Sequence, residues 1–113
     1  MTALTDREIL ESCARAGGLD GIGLSFDAKL NFLTDYEGFT FDPLEDDGDC
    51  ARMENKCKLD VDCYAGIVVF IGACDYLNGD SENFAPGDDA SRRRASCMVV
   101  ARAQIEREQG GKQ

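Results

Sequence analysis

Histidine and tryptophan are absent from this 113-residue chain, and proline occurs only twice. Without histidine, the Ser-His-Asp and Cys-His nucleophile arrangements are excluded on this chain alone. General acid–base work would fall to carboxylates, tyrosine or lysine, or to an acquired metal. No such pair has a spacing that specifies a reaction, so the expectation is a protein that is not an enzyme. No two cysteines are spaced as CxxC, which leaves a structural zinc site without support. Neither a metal nor a cofactor is expected. The longest apolar run, Ala65 to Cys74, is far too short to span a bilayer. The opening MTALTDREIL lacks the basic and apolar regions of a signal peptide, so the setting is read as cytoplasmic.

What is present in excess is carboxylate. Twenty-two Asp and Glu face twelve Lys and Arg, for a net charge of −10. The imbalance is uneven. Residues 1–91 hold twenty carboxylates against six cations, whereas residues 92–113 hold six cations against two carboxylates. So much like charge on a small body opposes compaction, and something must offset it or use it. The apolar fraction of 43% still suits a folded protein. Residues 1–113 read as a single acidic domain, frayed over the last few positions. The six cysteines (13, 50, 57, 63, 74 and 97) are read as free and apolar. They fall where core residues belong, and a reducing compartment disfavours disulfides.

Local signals give the fold class. Thr5 and Glu8 form a capping box, with Leu4 placed to staple onto Ile9, and Gly17-Gly18 ends that helix. Period-two alternation at Ile22, Leu24 and Phe26, at Leu30 and Phe32, and at Phe39 and Phe41 predicts strands with one buried face. The turns between them are Asp27-Ala28-Lys29 and Asp35-Tyr36-Glu37-Gly38. Asp46 or Asp47 caps a second helix running to about Lys58, buried through Cys50, Met53 and Cys57. Asp60 to Tyr64 and Ile67 to Ile71 read as a hairpin turning at Ala65-Gly66, the second strand being central. A polar loop over 78–87 leads to a third helix, capped by Asp88 or Asp89. Its shared face holds Cys97, Met98, Ala101 and Ile105, and Gly110-Gly111 ends it. The expectation is an α+β fold, an antiparallel sheet with three helices on one face, in the order α-β-β-α-β-β-α.

FDPLEDDGDC (Phe41 to Cys50) concentrates five carboxylates in eight residues, Asp42, Glu45, Asp46, Asp47 and Asp49. A calcium loop with Gly48 at its sixth position aligns Asp47 and Glu54 but puts Pro43 first, where a ligand is needed. A nuclease reading of Asp42 with Glu54-Asn55-Lys56 puts the Glu-x-Lys on a helix and rests on a very short pattern. A helix N-terminus favours negative charge and explains two or three of the five. The others, with Asp35 and Glu37 beside them, are expected to form a partner-binding surface. Arg92-Arg93-Arg94 is expected to pair with acidic loops of the same domain; a nucleic-acid patch would need a basic face, which the acidity of the remaining chain opposes. Gly17 to Gly23 (GGLDGIG) follows a helix, which does not suit a phosphate loop.

Asp42-Pro43-Leu44-Glu45-Asp46-Asp47-Gly48-Asp49-Cys50-Ala51-Arg52-Met53, followed by Leu59-Asp60-Val61, resembles a motif of small tailed-phage and prophage proteins that reads NPL-x-DDGDALRL. Thr5 to Glu11 is similar to their opening. Asp88 to Arg93, with Ala95 and Ile105, resembles their closing ATRRAI…AAAEI helix. Asp42 stands here for their Asn, Glu54-Asn55 for small apolar residues, and their tryptophan-rich middle is missing. The resemblance implies a phage or prophage origin and a host bacterial cytoplasm. Combined with the acidity, it suggests an anti-CRISPR-like inhibitor, a possible DNA mimic. Its partner would be a host protein or protein–RNA complex with a basic groove. The competing expectation is an accessory or structural phage protein whose acidity serves only solubility.

Overall fold

Thr5 Oγ1 accepts the Glu8 N–H (3.1 Å) and Glu8 Oε1 accepts the Thr5 N–H (2.9 Å), closing the expected capping box. In the computed structural model, which describes residues 4–19, 23–35, 37–70 and 81–110, helix α1 spans Asp6–Ala16. It buries Ile9, Leu10, Cys13 and Ala14, and Leu4 packs on the same core. The glycine pair ends it. Gly18 takes φ 77°, Leu19 N–H reaches Ala14 O (2.8 Å), and Gly18 N–H reaches Arg15 O (3.1 Å).

Strands β1 (Ser25–Asp27), β2 (Phe32–Thr34) and β3 (Thr40–Phe41) form one antiparallel sheet in that order. Phe26, Leu33 and Phe41 lie opposite one another, and Leu33 and Phe41 are buried. This corrects the face predicted for the middle strand. Leu30 is 59% exposed in the turn, and Phe32 lies opposite Asp27. The turn is longer than Asp-Ala-Lys. Asp27 Oδ1 accepts from the Lys29 and Leu30 N–H groups (2.9 and 3.2 Å), and Asn31 closes it at φ 60°. That one-residue slip exchanges the two faces.

Helix α2 (Asp47–Cys57) starts on Asp46, whose Oδ2 accepts the Asp49 N–H (2.8 Å), and buries Cys50, Met53 and Cys57 as predicted. Beyond it, β4 (Leu59–Asp62), β5 (Ile67–Phe70) and β6 (Ser81–Asn83) make a second antiparallel sheet with β5 in the centre. Tyr64, expected at a strand end, is 97% exposed in the turn that Asp62 Oδ1 builds by accepting from Tyr64 and Ala65 N–H. β6 lies within the stretch predicted as a polar loop. Its pairing with β5 through the backbone, Val68 opposite Glu82, outweighs poor strand propensity.

Helix α3 (Asp89–Gly110) begins on Asp88, whose Oδ1 accepts the Ser91 N–H (3.1 Å). Residues 95–97 and 99–101 are all buried, so the middle turns of the helix are enclosed well beyond a single stripe. α1, α2, β5 and β6 all pack on it. The α+β class with three helices holds. The helices do not line one sheet, however; the order is α-β-β-β-α-β-β-β-α, with two three-stranded sheets. Cys13, Cys50, Cys57 and Cys97 are free and buried, whereas Cys63 is exposed because it follows Asp62 into the turn. Among the described residues no helix is long and apolar enough to cross a membrane. Expectations for Ile22, Tyr36, Ile71, Cys74, Gly111 and the start of the polar loop at 78–80 lie outside the described residues.

Candidate anionic binding site

The apolar residues of the acidic stretch decide where its carboxylates go. Phe41, Pro43, Leu44 and Cys50 are buried, which pins the chain between β3 and α2. Helical rotation of about 100° per residue then separates neighbours. Asp47 faces α3, where Arg92 Nη2 (3.1 Å) and Arg93 Nη1 (2.6 Å) bind the same Oδ1. The Arg93 hydrogen bond, chiefly, holds the Asp47 carboxyl below its ordinary range. Asp46 and Asp49 face the other way.

On that side Asp42, Asp46, Asp49 and Arg52 share a concavity of about 480 Å³ with Phe39 and Thr40. Asp49 Oδ2 accepts the Asp42 N–H (2.9 Å), while its Oδ1 lies 2.6 Å from Arg52 Nη2. Asp46 is farther from that guanidinium, at 4.0 Å. Asp42 Oδ1 is buried and has no hydrogen-bond partner. Burial first, then the charge of Glu45, raises the Asp42 carboxyl above its ordinary 3.8. Asp49 and Asp46 add to this, and a Glu45 backbone hydrogen bond partly opposes it. Four of the seven candidate residues, Asp42, Glu45, Asp46 and Asp49, therefore act on one another at one place.

The others do not join them in the same way. Asp35 Oδ1 turns onto its own loop, accepting from the Glu37 and Phe39 N–H groups (2.9 Å each). Glu37 is exposed in that loop, whose Gly38 and Phe39 reach the rim of the concavity. Many carboxylates elsewhere serve the fold. Asp27, Asp35 and Asp62 build turns, Asp46 and Asp88 cap helices, and Asp6, Glu54 and Glu82 hold Arg94, Arg92 and Arg102. The arginine triplet does pair within the domain, but with carboxylates of helices α1 and α2 rather than of acidic loops.

Two features were not singled out from the sequence. Arg52 sits three residues after Asp49, a helical spacing that could have placed the two side by side. Phe39, 43% exposed, lines both this concavity and an adjoining one of about 310 Å³ walled by Leu19, Phe41 and Met53. The strand alternation had placed Phe39 on the buried face with Phe41; it lies instead just before β3, which spans only Thr40–Phe41. The calcium and nuclease readings meet side chains already engaged, since Asp47 holds Arg92 and Arg93, and Glu54 accepts from Arg92 and Ser96. No group of three or more Cys, Asp or Glu among the described residues is arranged to hold a metal ion.

The raised Asp42 carboxyl makes a pH prediction. The folded state binds this proton more readily than the unfolded chain, so stability falls as pH rises through the window above 3.8. Asp42→Asn removes that slope. Thermal midpoints measured between pH 4 and pH 7 should show the variant gaining on the native chain as pH rises; an equal offset throughout would contradict it.

No family model matches the chain, and no curated protein or solved structure matches it either.

Proposed function

We propose that this chain is a phage- or prophage-encoded acidic binding protein that inhibits a host nucleic-acid-handling or defence complex in the bacterial cytoplasm, in the manner of anti-CRISPR proteins. The observation that carries the reading is the convergence of Glu45, Asp46 and Asp49 on the half-buried Asp42, which leaves one carboxylate oxygen without a partner. An arginine or lysine of the target, seated in the concavity, would be drawn by the Asp42, Asp46 and Asp49 carboxylates that line it. The surface is compact, because Asp47 is neutralised by α3. It therefore suits one basic position in a groove better than a long stretch of mimicked phosphates. Phe39 and the apolar cavity beside it would receive an uncharged residue next to the target's cation. Association should be steered and salt-sensitive. No catalytic step and no cofactor is part of the reading.

The competing reading, an accessory protein whose acidity serves solubility, draws support from the turn-building and internally paired carboxylates. One variant separates them. Asp42→Asn, Glu45→Gln, Asp46→Asn and Asp49→Asn together remove four charges but keep hydrogen-bonding side chains, and asparagine caps helices as well as aspartate does. Immobilised native chain should retain a nucleic-acid-handling complex from nuclease-treated host lysate at low ionic strength, and the folded variant should not. Equal retention by both, or none by either, would overturn the inhibitor reading.

A further inference from the structure

The geometry points to a second site of opposite sign: a pocket for a small polyvalent oxyanion of the phosphate class, held by Lys56, Lys58 and Arg107. These three cations line one cavity of about 190 Å³ at the C-terminal end of α2, against α3. What sets them apart is that they are unpaired. On a chain with 22 carboxylates and 12 cations, every other described arginine has a carboxylate partner. Among the described residues, Lys56, Lys58 and Arg107 have none. Lys29, the remaining unpaired cation described, does not line this cavity.

Two independent features support the site. Lys58 is the C-cap of α2 and takes φ 58°, a conformation that glycine adopts freely and lysine does not. A lysine stands at a position where a glycine would relieve strain. No carboxylate lines the cavity, and Cys57, which does, is kept protonated by burial, which outweighs the opposing Arg107 and Lys56. The ordinary explanation is that cations offset helix dipoles. Two helix C-termini end nearby, each equivalent to about half a negative charge. They account for about one of the three positive charges, and a surplus of about two remains. That surplus matches a dianion better than a monocarboxylate. The volume corresponds to roughly six waters at about 30 Å³ each, and is below the roughly 300 Å³ at which sites for drug-sized ligands begin. A phosphoryl group fits, and a whole nucleotide does not.

Titration calorimetry of the full chain with inorganic phosphate and with pyrophosphate tests this, at constant ionic strength set by chloride. Saturable binding of one equivalent is expected, with a Kd at or below about 1 mM, and acetate should give no such heat. Lys58→Gly should weaken binding at least tenfold while leaving the thermal midpoint unchanged or higher. Lys29→Gln should change nothing. Heats no larger than those of acetate, or undiminished affinity in a Lys56→Gln, Lys58→Gly, Arg107→Gln triple variant, would overturn the assignment.

Discussion

Replacing Arg92 with methionine is expected to cost about 3–4 kcal/mol of folding stability, among the largest effects of any single substitution in this chain. The Arg92 and Glu54 side chains are only 17% and 15% exposed, with Nη1 and Oε2 2.8 Å apart. Ser96, fully buried, donates to the same Oε2 at 2.6 Å. Methionine fills the space but leaves the largely covered Glu54 carboxylate with the Ser96 hydroxyl as its remaining side-chain partner. Asp47 suffers less, because it is exposed and keeps Arg93. Guanidinium denaturation should show the loss as a shifted midpoint with an unchanged slope. The double variant Arg92→Met, Glu54→Leu should recover to within about 1 kcal/mol of the native chain, because a paired buried charge and a packed apolar pair are close in stability. A loss below about 1 kcal/mol for the single variant would mean that the pair behaves as a surface ion pair.

Gly66→Ala should cost about 3 kcal/mol for a different reason. Gly66 turns the chain from β4 into β5 at φ 73°, its N–H bonded to Asp62 O (2.8 Å) and its carbonyl to Phe84 N–H (2.9 Å). A Cβ there would lie 2.5 Å from the Phe84 carbonyl oxygen and about 3 Å from the Pro86 ring. Phe84 is buried and the next amide, Ala85 N–H, is bonded to Ser91 Oγ of α3 (3.0 Å), so the carbonyl is held in place. Gly87→Ala is the control, since its φ is 86° but nothing lies within 4 Å of the added carbon. It should cost only the conformational part, about 1 kcal/mol. Equal losses at both positions would show that the close approach of Phe84 contributes nothing.

Signals contained within one turn of chain were legible in the sequence. The capping box, the glycine pair after α1, the Asp46 cap and the buried face of α2 all depend on residues three or four apart. The strands of two to four residues were harder, because so few periods cannot separate one face from the other. Leu33 and Leu30 exchanged places on the strength of one extra turn residue. β6 was invisible for another reason: its residues are polar, and backbone pairing with β5 holds it in place. The site was half legible. Acidic density marked the region, but only the helix angle shows that Asp47 leaves the group. Asp47 and Glu54, seven apart and thus on one face, carried that information alongside the Cys50 and Cys57 pair on the adjacent one. The convergence of Lys56 and Lys58 with Arg107 is tertiary and left no local trace.

Much of the excess negative charge is thus explained by turns, caps and ion pairs with α3. Around Asp42, Asp46 also caps α2 and Asp49 also holds Arg52, so the functional reading stands or falls on how strongly these carboxylates and Glu45 act on Asp42. Titration of the side-chain carboxyl carbons by NMR measures it directly. The account predicts that Asp42 titrates above its ordinary 3.8, and that Glu45→Gln or Asp46→Asn each brings it down. A midpoint at or below 3.8, or one indifferent to both neutralisations, would contradict it.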